Sequence, residues 1–136
     1  MNRDDLQKLA RLRAKEARTL LDSKQPSGAF YLCGYSVECA LKACIAKQTR
    51  RFEFPELQRV KGSYTHNLVE LLRLADLQDQ MRTDSTAEPL LEQSWTTVQR
   101  WTEASRYVVK TQAEARDMIR AATGKGGMLP WIVQRW

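Results

Sequence analysis

From Phe30 to Ile45 the chain is apolar at almost every position, and its few polar groups fall on one stripe. On a helix of about 3.6 residues per turn, Tyr31, Tyr35, Glu38 and Lys42 stand at i, i+4, i+7 and i+11, so they share one side. Phe30, Cys33, Gly34, Val37, Leu41, Cys44 and Ile45 take the other. This pattern predicts a long helix ending near Gln48. It is packed on most faces and carries a hydroxyl, a carboxylate and an ammonium at an interface or a site.

The flanking segments read as further helices. Leu6, Leu9, Ala10, Ala17, Leu20 and Leu21 recur at helical spacing from about Asp4 or Asp5 to Leu21. Asp22 to Gly28 ends that helix, and Pro26 is placed to begin the long one. Arg50 to Ser63 holds Pro55 and Gly62 without a sustained period, and reads as a loop. Thr65 or Asn67 is positioned to cap a third helix bearing Leu68, Leu71, Leu72, Ala75 and Met81. Ser85-Thr-Ala-Glu88 has the spacing of a capping box ahead of a fourth helix, with Pro89 in its first turn and Leu91, Trp95, Val98 and Trp101 following. Thr111-Gln-Ala-Glu114 is a second such box, opening a fifth helix through Ala115, Met118, Ile119 and Ala122. Gly124-Lys-Gly-Gly127 stops it, since as a phosphate loop it would need a preceding strand and the full motif spacing. Met128 to Trp136 is too apolar to lie free in water and should pack on the bundle or on a second copy. Nothing alternates with period 2. The expected fold is all-α: an antiparallel four- to five-helix bundle over residues 1–123, with residues 124–136 as an apolar tail packed on it or on a dimer partner.

A chain of 136 residues with 43% apolar side chains can bury one core without staples. The apolar run is interrupted by Glu38 and Lys42 and the N-terminal segment is charged throughout, so neither a signal peptide nor a membrane span is expected and a cytoplasmic location is. Cys33, Cys39 and Cys44 match no metal-ligand spacing and read as reduced, buried thiols, with no metal or cofactor expected. The net charge of +6 is uneven. Residues 62–99 are acidic on balance. The basic excess lies in Arg11, Arg13, Lys15 and Arg18, in Lys47, Arg50, Arg51, Arg59 and Lys61, and in Arg100, Arg106, Lys110, Arg116 and Arg120. Brought together, these groups would bind a polyanion such as RNA; kept apart, they are solvated helix faces.

Three landmarks occur in order: Tyr35-Ser-Val-Glu38-Cys-Ala-Leu-Lys42-Ala, then Tyr64-Thr65-His66-Asn67-Leu68 with Leu71 and Leu72, then Ser105-Arg106-Tyr107. Together they resemble the HEPN family, the higher eukaryotes and prokaryotes nucleotide-binding domain, over roughly residues 5–123. The resemblance implies a homodimeric helical bundle that binds nucleotide or RNA. Many prokaryotic members are paired with a small nucleotidyltransferase as toxin and antitoxin. Catalytic members are metal-independent endoribonucleases whose signature is an arginine, four to six residues, then a histidine. His66 is the sole histidine, and Arg59, separated from it by six residues, is the arginine at a permitted distance. Val60 departs from the polar residue that the signature favours. His66 matches the Thr-His-Asx-Leu start of the third helix, and Arg106-Tyr107 the Arg-Tyr pair of the nucleotide-binding branch.

Each candidate has two readings. His66 is suited to proton transfer near neutral pH, or it helps to cap the third helix or bonds a core carbonyl. Arg106 offers a forked clamp for phosphate, or an ion pair with Glu38. Glu38 and Lys42 are ordered as an i,i+4 pair. Tyr31, Tyr35 and Tyr107 can stack on a base or simply pack. The function classes are therefore a nucleotide- or RNA-binding bundle, an endoribonuclease using His66 with Arg106 or Arg59, and a protein-interaction partner without chemistry.

Overall fold

The computed structural model describes residues 1–49 and 61–136. The loop expected from Arg50 onward, with Arg50, Arg51 and Arg59, lies in its first eleven positions outside the described residues. Those described form an all-α bundle with no strand among them.

α1 (Arg3–Asp22) opens on a capping box between Asn2 and Asp5. It ends in a Schellman turn, in which Gln25 N–H donates to Leu20 O (2.8 Å) and Lys24 N–H to Leu21 O (3.0 Å). Lys24 takes the left-handed position of that turn, at φ 57°. The chain reverses at once into α2 (Pro26–Gln48), whose proline stands in the first turn. Ala10 and Ala17 are fully buried and let the two helices approach closely. Ser36, buried between them, donates to Ala10 O at 2.7 Å, so its hydroxyl costs little there.

α2 is the axis of the bundle. Its length and mean hydropathy of 1.3 would suit a membrane crossing, yet 72% of that window is buried inside the protein. α3 (Leu68–Leu74) and α6 (Gln112–Thr123) both pack on it. α6 starts beside the α1–α2 turn, where Lys110 N–H donates to Ser27 Oγ and Gln112 Nε2 to Leu21 O, each at 2.9 Å. Farther along, the Cys33 thiol meets Met118 O at 3.6 Å. All three cysteines are free and buried. Burial pushes the Cys33 thiol up to about 12 and those of Cys39 and Cys44 to about 11, which leaves them without thiolate character at neutral pH.

Two expected elements are corrected. The third helix does not continue to Met81: it ends at Leu74 in another Schellman turn, Leu77 N–H to Leu72 O and Asp76 N–H to Arg73 O, with Asp76 left-handed at φ 55°. Met81 belongs instead to α4 (Gln78–Ala87). The Ser85-Thr-Ala-Glu88 box does not form either, because Ser85 is inside α4 and its hydroxyl bonds Arg82 O. α5 (Pro89–Val98) begins at Glu88 with no side-chain cap, and Trp101 lies beyond its end. The Thr111–Glu114 box does form and opens α6.

The tail folds back as α7 (Met128–Val133) and packs on the bundle, with Met128 and Ile132 fully buried. Asp84 fastens it from α4: Oδ2 accepts from Trp131 Nε1 at 2.8 Å and from Arg135 Nη2 at 3.0 Å. Lys47 at the end of α2 donates to Arg135 O at 3.2 Å.

Candidate functional site

The site lies where the middle of α2, the start of α3 and a short 3-10 turn, Glu103–Tyr107, meet. Asn67 caps α3 by accepting from Glu70 N–H at 3.0 Å, and Thr65 Oγ1 accepts from Asn67 N–H at 3.2 Å. That double bonding fixes the backbone on both sides of His66. The 3-10 turn is held by buried Ser105, whose Oγ accepts from Thr102 N–H at 3.1 Å. It is anchored by Trp101, which lies across Gly34 of α2 and donates from Nε1 to Tyr31 O at 3.0 Å.

The anchor depends on glycine. A Cβ at position 34 would fall 2.1 Å from the indole ring, well inside van der Waals contact. The Tyr31 ring centroid is 5.9 Å from that of Trp101 and 6.4 Å from that of Tyr35, the two tyrosines being stacked. Tyr31 and Tyr35 are therefore packed along α2, half-buried, and burial raises the Tyr35 phenol.

His66 bridges two carboxylates. Its Nδ1 is 3.0 Å from Oε1 of Glu38, which is only 2% exposed, and its Nε2 is 3.6 Å from Oε2 of Glu103. Because a carboxylate oxygen accepts, Nδ1 carries the hydrogen in the first contact, and Nε2 is the nitrogen turned toward Glu103. Lys42 also reaches Glu38 Oε1, at 2.9 Å. Glu38 Oε2 is buried with no hydrogen-bond partner among the described residues, which grip the carboxylate through its other oxygen. Arg106 places Nη2 3.4 Å from Glu103 Oε1 and its guanidinium 4.9 Å over the Tyr107 ring. Tyr107 first and Glu103 after it hold that guanidinium above its ordinary pKa.

The result is a series of contacts in space, Lys42, Glu38, His66, Glu103 and Arg106, of which His66 and Glu103 face an open cleft of about 490 Å³. Thr65, His66, Asn67, Trp101 and Glu103 line that cleft. Of the residues proposed from the sequence, Glu38, Lys42 and His66 are in direct contact, and Arg106 joins them through Glu103 rather than by an ion pair with Glu38. Tyr107 is 78% exposed on the far side of Arg106. Arg59 is outside the described residues. Glu103 was missed by sequence reasoning, although its place three residues before Arg106 is the spacing of a helical ion pair. Among the described residues no group of three or more His, Cys, Asp or Glu side chains gathers as a metal ion would require.

Comparison with known proteins returns no match: no family model fits the chain, no curated protein matches it, and no solved structure matches it.

Proposed function

We propose that this chain is a HEPN-like helical bundle that binds nucleotide or RNA in the cleft at His66. The observation that carries this reading is the hold of buried Glu38 on the imidazole, at 3.0 Å. A histidine oriented by a buried carboxylate, with its second nitrogen at the edge of an open cleft, has the arrangement of a proton-transfer group. Arg106 stands one carboxylate away, and its planar fork matches a phosphate. Glu103 is 41% exposed, so it can rotate into water when a phosphate takes its place on the guanidinium.

The resemblance of the three sequence landmarks to the HEPN family supports the ligand class, together with a homodimer and a small nucleotidyltransferase as partner. Tyr107, Val108 and Val109 leave an exposed apolar run beside the site, which a second copy would cover.

The Glu38–His66 contact also favours a catalytic version. In it the ribose 2′-oxygen forms a bond to the adjacent phosphorus while the bond from phosphorus to the 5′-oxygen breaks. His66 would move the proton, and the products would be a 2′,3′-cyclic phosphate and a 5′-hydroxyl. The test incubates the full chain with single-stranded RNA and with mononucleotides, following both binding and cleavage. Binding that His66→Ala spares, with cleavage that it abolishes, supports the enzyme. Binding without cleavage leaves the binding module, and the absence of both binding and cleavage overturns the proposal.

A further inference from the structure

On the other side of α1 a groove of about 460 Å³ runs between that helix and α7. Arg11, Lys15 and Arg18 line its α1 wall, while Leu129, Pro130 and Val133 line the opposite one. The small side chains of Ala10 and Ala14 keep the space between them open.

Several of the basic residues of this protein are already paired. Arg13, Arg106, Lys110 and Arg120 each sit within ion-pair distance of a carboxylate on their own helix or turn: Glu16, Glu103, Glu114 and Asp117 respectively. Among the described residues, Arg11, Lys15 and Arg18 have no such carboxylate, although Asp22 stands at the end of the groove. They are exposed, and at i, i+4 and i+7 they form a row about 10 Å long on one helix face. A row of uncompensated charge facing an aliphatic wall is complementary to one kind of surface, apolar on one side and acidic on its flank.

We propose that the α1–α7 groove is a docking site for an acidic amphipathic helix of a partner protein. Such a helix presents carboxylates at the same i, i+4, i+7 spacing and lays its aliphatic stripe against Leu129, Pro130 and Val133. The charge count argues against a fatty carboxylate, which brings one negative charge to three cations. The lining argues against nucleic acid. Single strands are held by stacking on open aromatic faces, and the one aromatic ring among the described residues of this groove, Trp136, is covered by the Arg11 guanidinium at 4.7 Å.

The test uses three synthetic helical peptides of about four turns. They share one leucine-alanine face and carry glutamate, glutamine or lysine at the three flank positions, and each is titrated onto the full chain. The expected affinity order is Glu over Gln over Lys, with Glu about tenfold tighter than Gln at low salt and the gap closing as salt is raised. In the exposed-site variant Arg11→Glu/Lys15→Glu/Arg18→Glu the order should invert. Val133→Asp, at a residue 40% exposed, should weaken the Glu peptide about tenfold without unfolding the protein. Equal binding of the three peptides, no binding by any of them, or an order that fails to invert would overturn the proposal. So would displacement of the Glu peptide by oligouridine or palmitate at equal concentration, which would assign the groove to nucleic acid or to lipid.

Discussion

Trp101 lies so close over Gly34 that the hydrogen of the glycine is all that fits between the indole and the α2 backbone: a Cβ there would sit 2.1 Å from ring carbons. Trp101 is also the residue from which the 3-10 turn bearing Glu103 and Arg106 departs. Gly34→Ala should therefore destabilise the fold by about 1–3 kcal/mol through overpacking, despite the better helix propensity of alanine. It should also weaken any ligand of the His66 cleft by displacing the turn. Urea unfolding and a ligand titration at a temperature where the variant is folded read the two effects separately.

RNA affinity is expected to fall steeply with salt, because phosphate contacts release counterions. Arg106→Glu should cost more affinity than Arg73→Glu. Arg73 is tied to Glu70 on α3 through both Nε and Nη2, amid an acidic segment, whereas Arg106 is joined through Glu103 to His66. Filter binding of single-stranded RNA at two salt concentrations makes the comparison, and equal losses would detach Arg106 from the site.

If the cleft cleaves RNA, His66→Ala should lower the rate by a factor of order a hundred or more while leaving affinity nearly unchanged. Glu38→Gln should lower it as well, since it removes the charge that orients the ring while keeping the volume. Cleavage should survive EDTA and leave 2′,3′-cyclic phosphate ends. Full activity in Glu38→Gln would show that the carboxylate does no orienting.

Asp84 gives the stability an acid limb. The Trp131 indole N–H first, then the Gln80 amide, and also Arg135 hold its carboxyl below the usual range. The native state therefore binds fewer protons than the unfolded chain. The contribution is fully present above the ordinary aspartate pKa near ~4 and is lost as pH falls through the lower folded value. Glu70 and Glu114, lowered chiefly by Arg73 and Thr111, act in the same direction. Thermal unfolding should drop below about pH 4. Asp84→Asn should flatten part of that limb and also lower the melting temperature at neutral pH, where the fastening of α7 is already loosened.

Lys24 occupies a left-handed backbone position at φ 57°, where a side chain meets the following carbonyl. Lys24→Gly should stabilise the protein by about 1 kcal/mol, measured by urea unfolding. A loss of stability would mean that the lysine side chain makes a compensating contact.

Lys24 and Asp76, both left-handed, also mark where the sequence was legible and where it was not. The helices α1, α2 and α6 were readable from periodicity and caps, because Pro26, Thr111 and the run Gly124 to Gly127 carry their boundaries in their own chemistry. The break after Leu74 was not, since Asp76 takes the position that glycine usually announces, and the leucine spacing carries on past it to Met81. Ser85 to Glu88 had the residues of a capping box but sits inside α4, where helix hydrogen bonds outcompete it. At the site, the stripe of Glu38 and Lys42 foretold a polar seam. The meeting of Glu38 with His66, 28 residues apart, is decided by how α3 docks on α2, which no local pattern encodes. The same is true of Glu103, which replaces Glu38 as the partner of Arg106.

The central place of α2 has a consequence for how this protein is made. α1, which precedes it on the ribosome, covers one flank. The groups that close the others come later: Trp101, Met118 and Arg135 meet Tyr31, Cys33 and Lys47 across separations of 70, 85 and 88 residues. At translation rates of about 5–20 residues per second, these contacts wait roughly 4–18 seconds after α2 has been synthesised. For that interval the most apolar segment of the chain is covered only by α1 and, once it has emerged, by α3. An apolar helix left partly uncovered in this way is prone to aggregate until the C-terminal segments arrive.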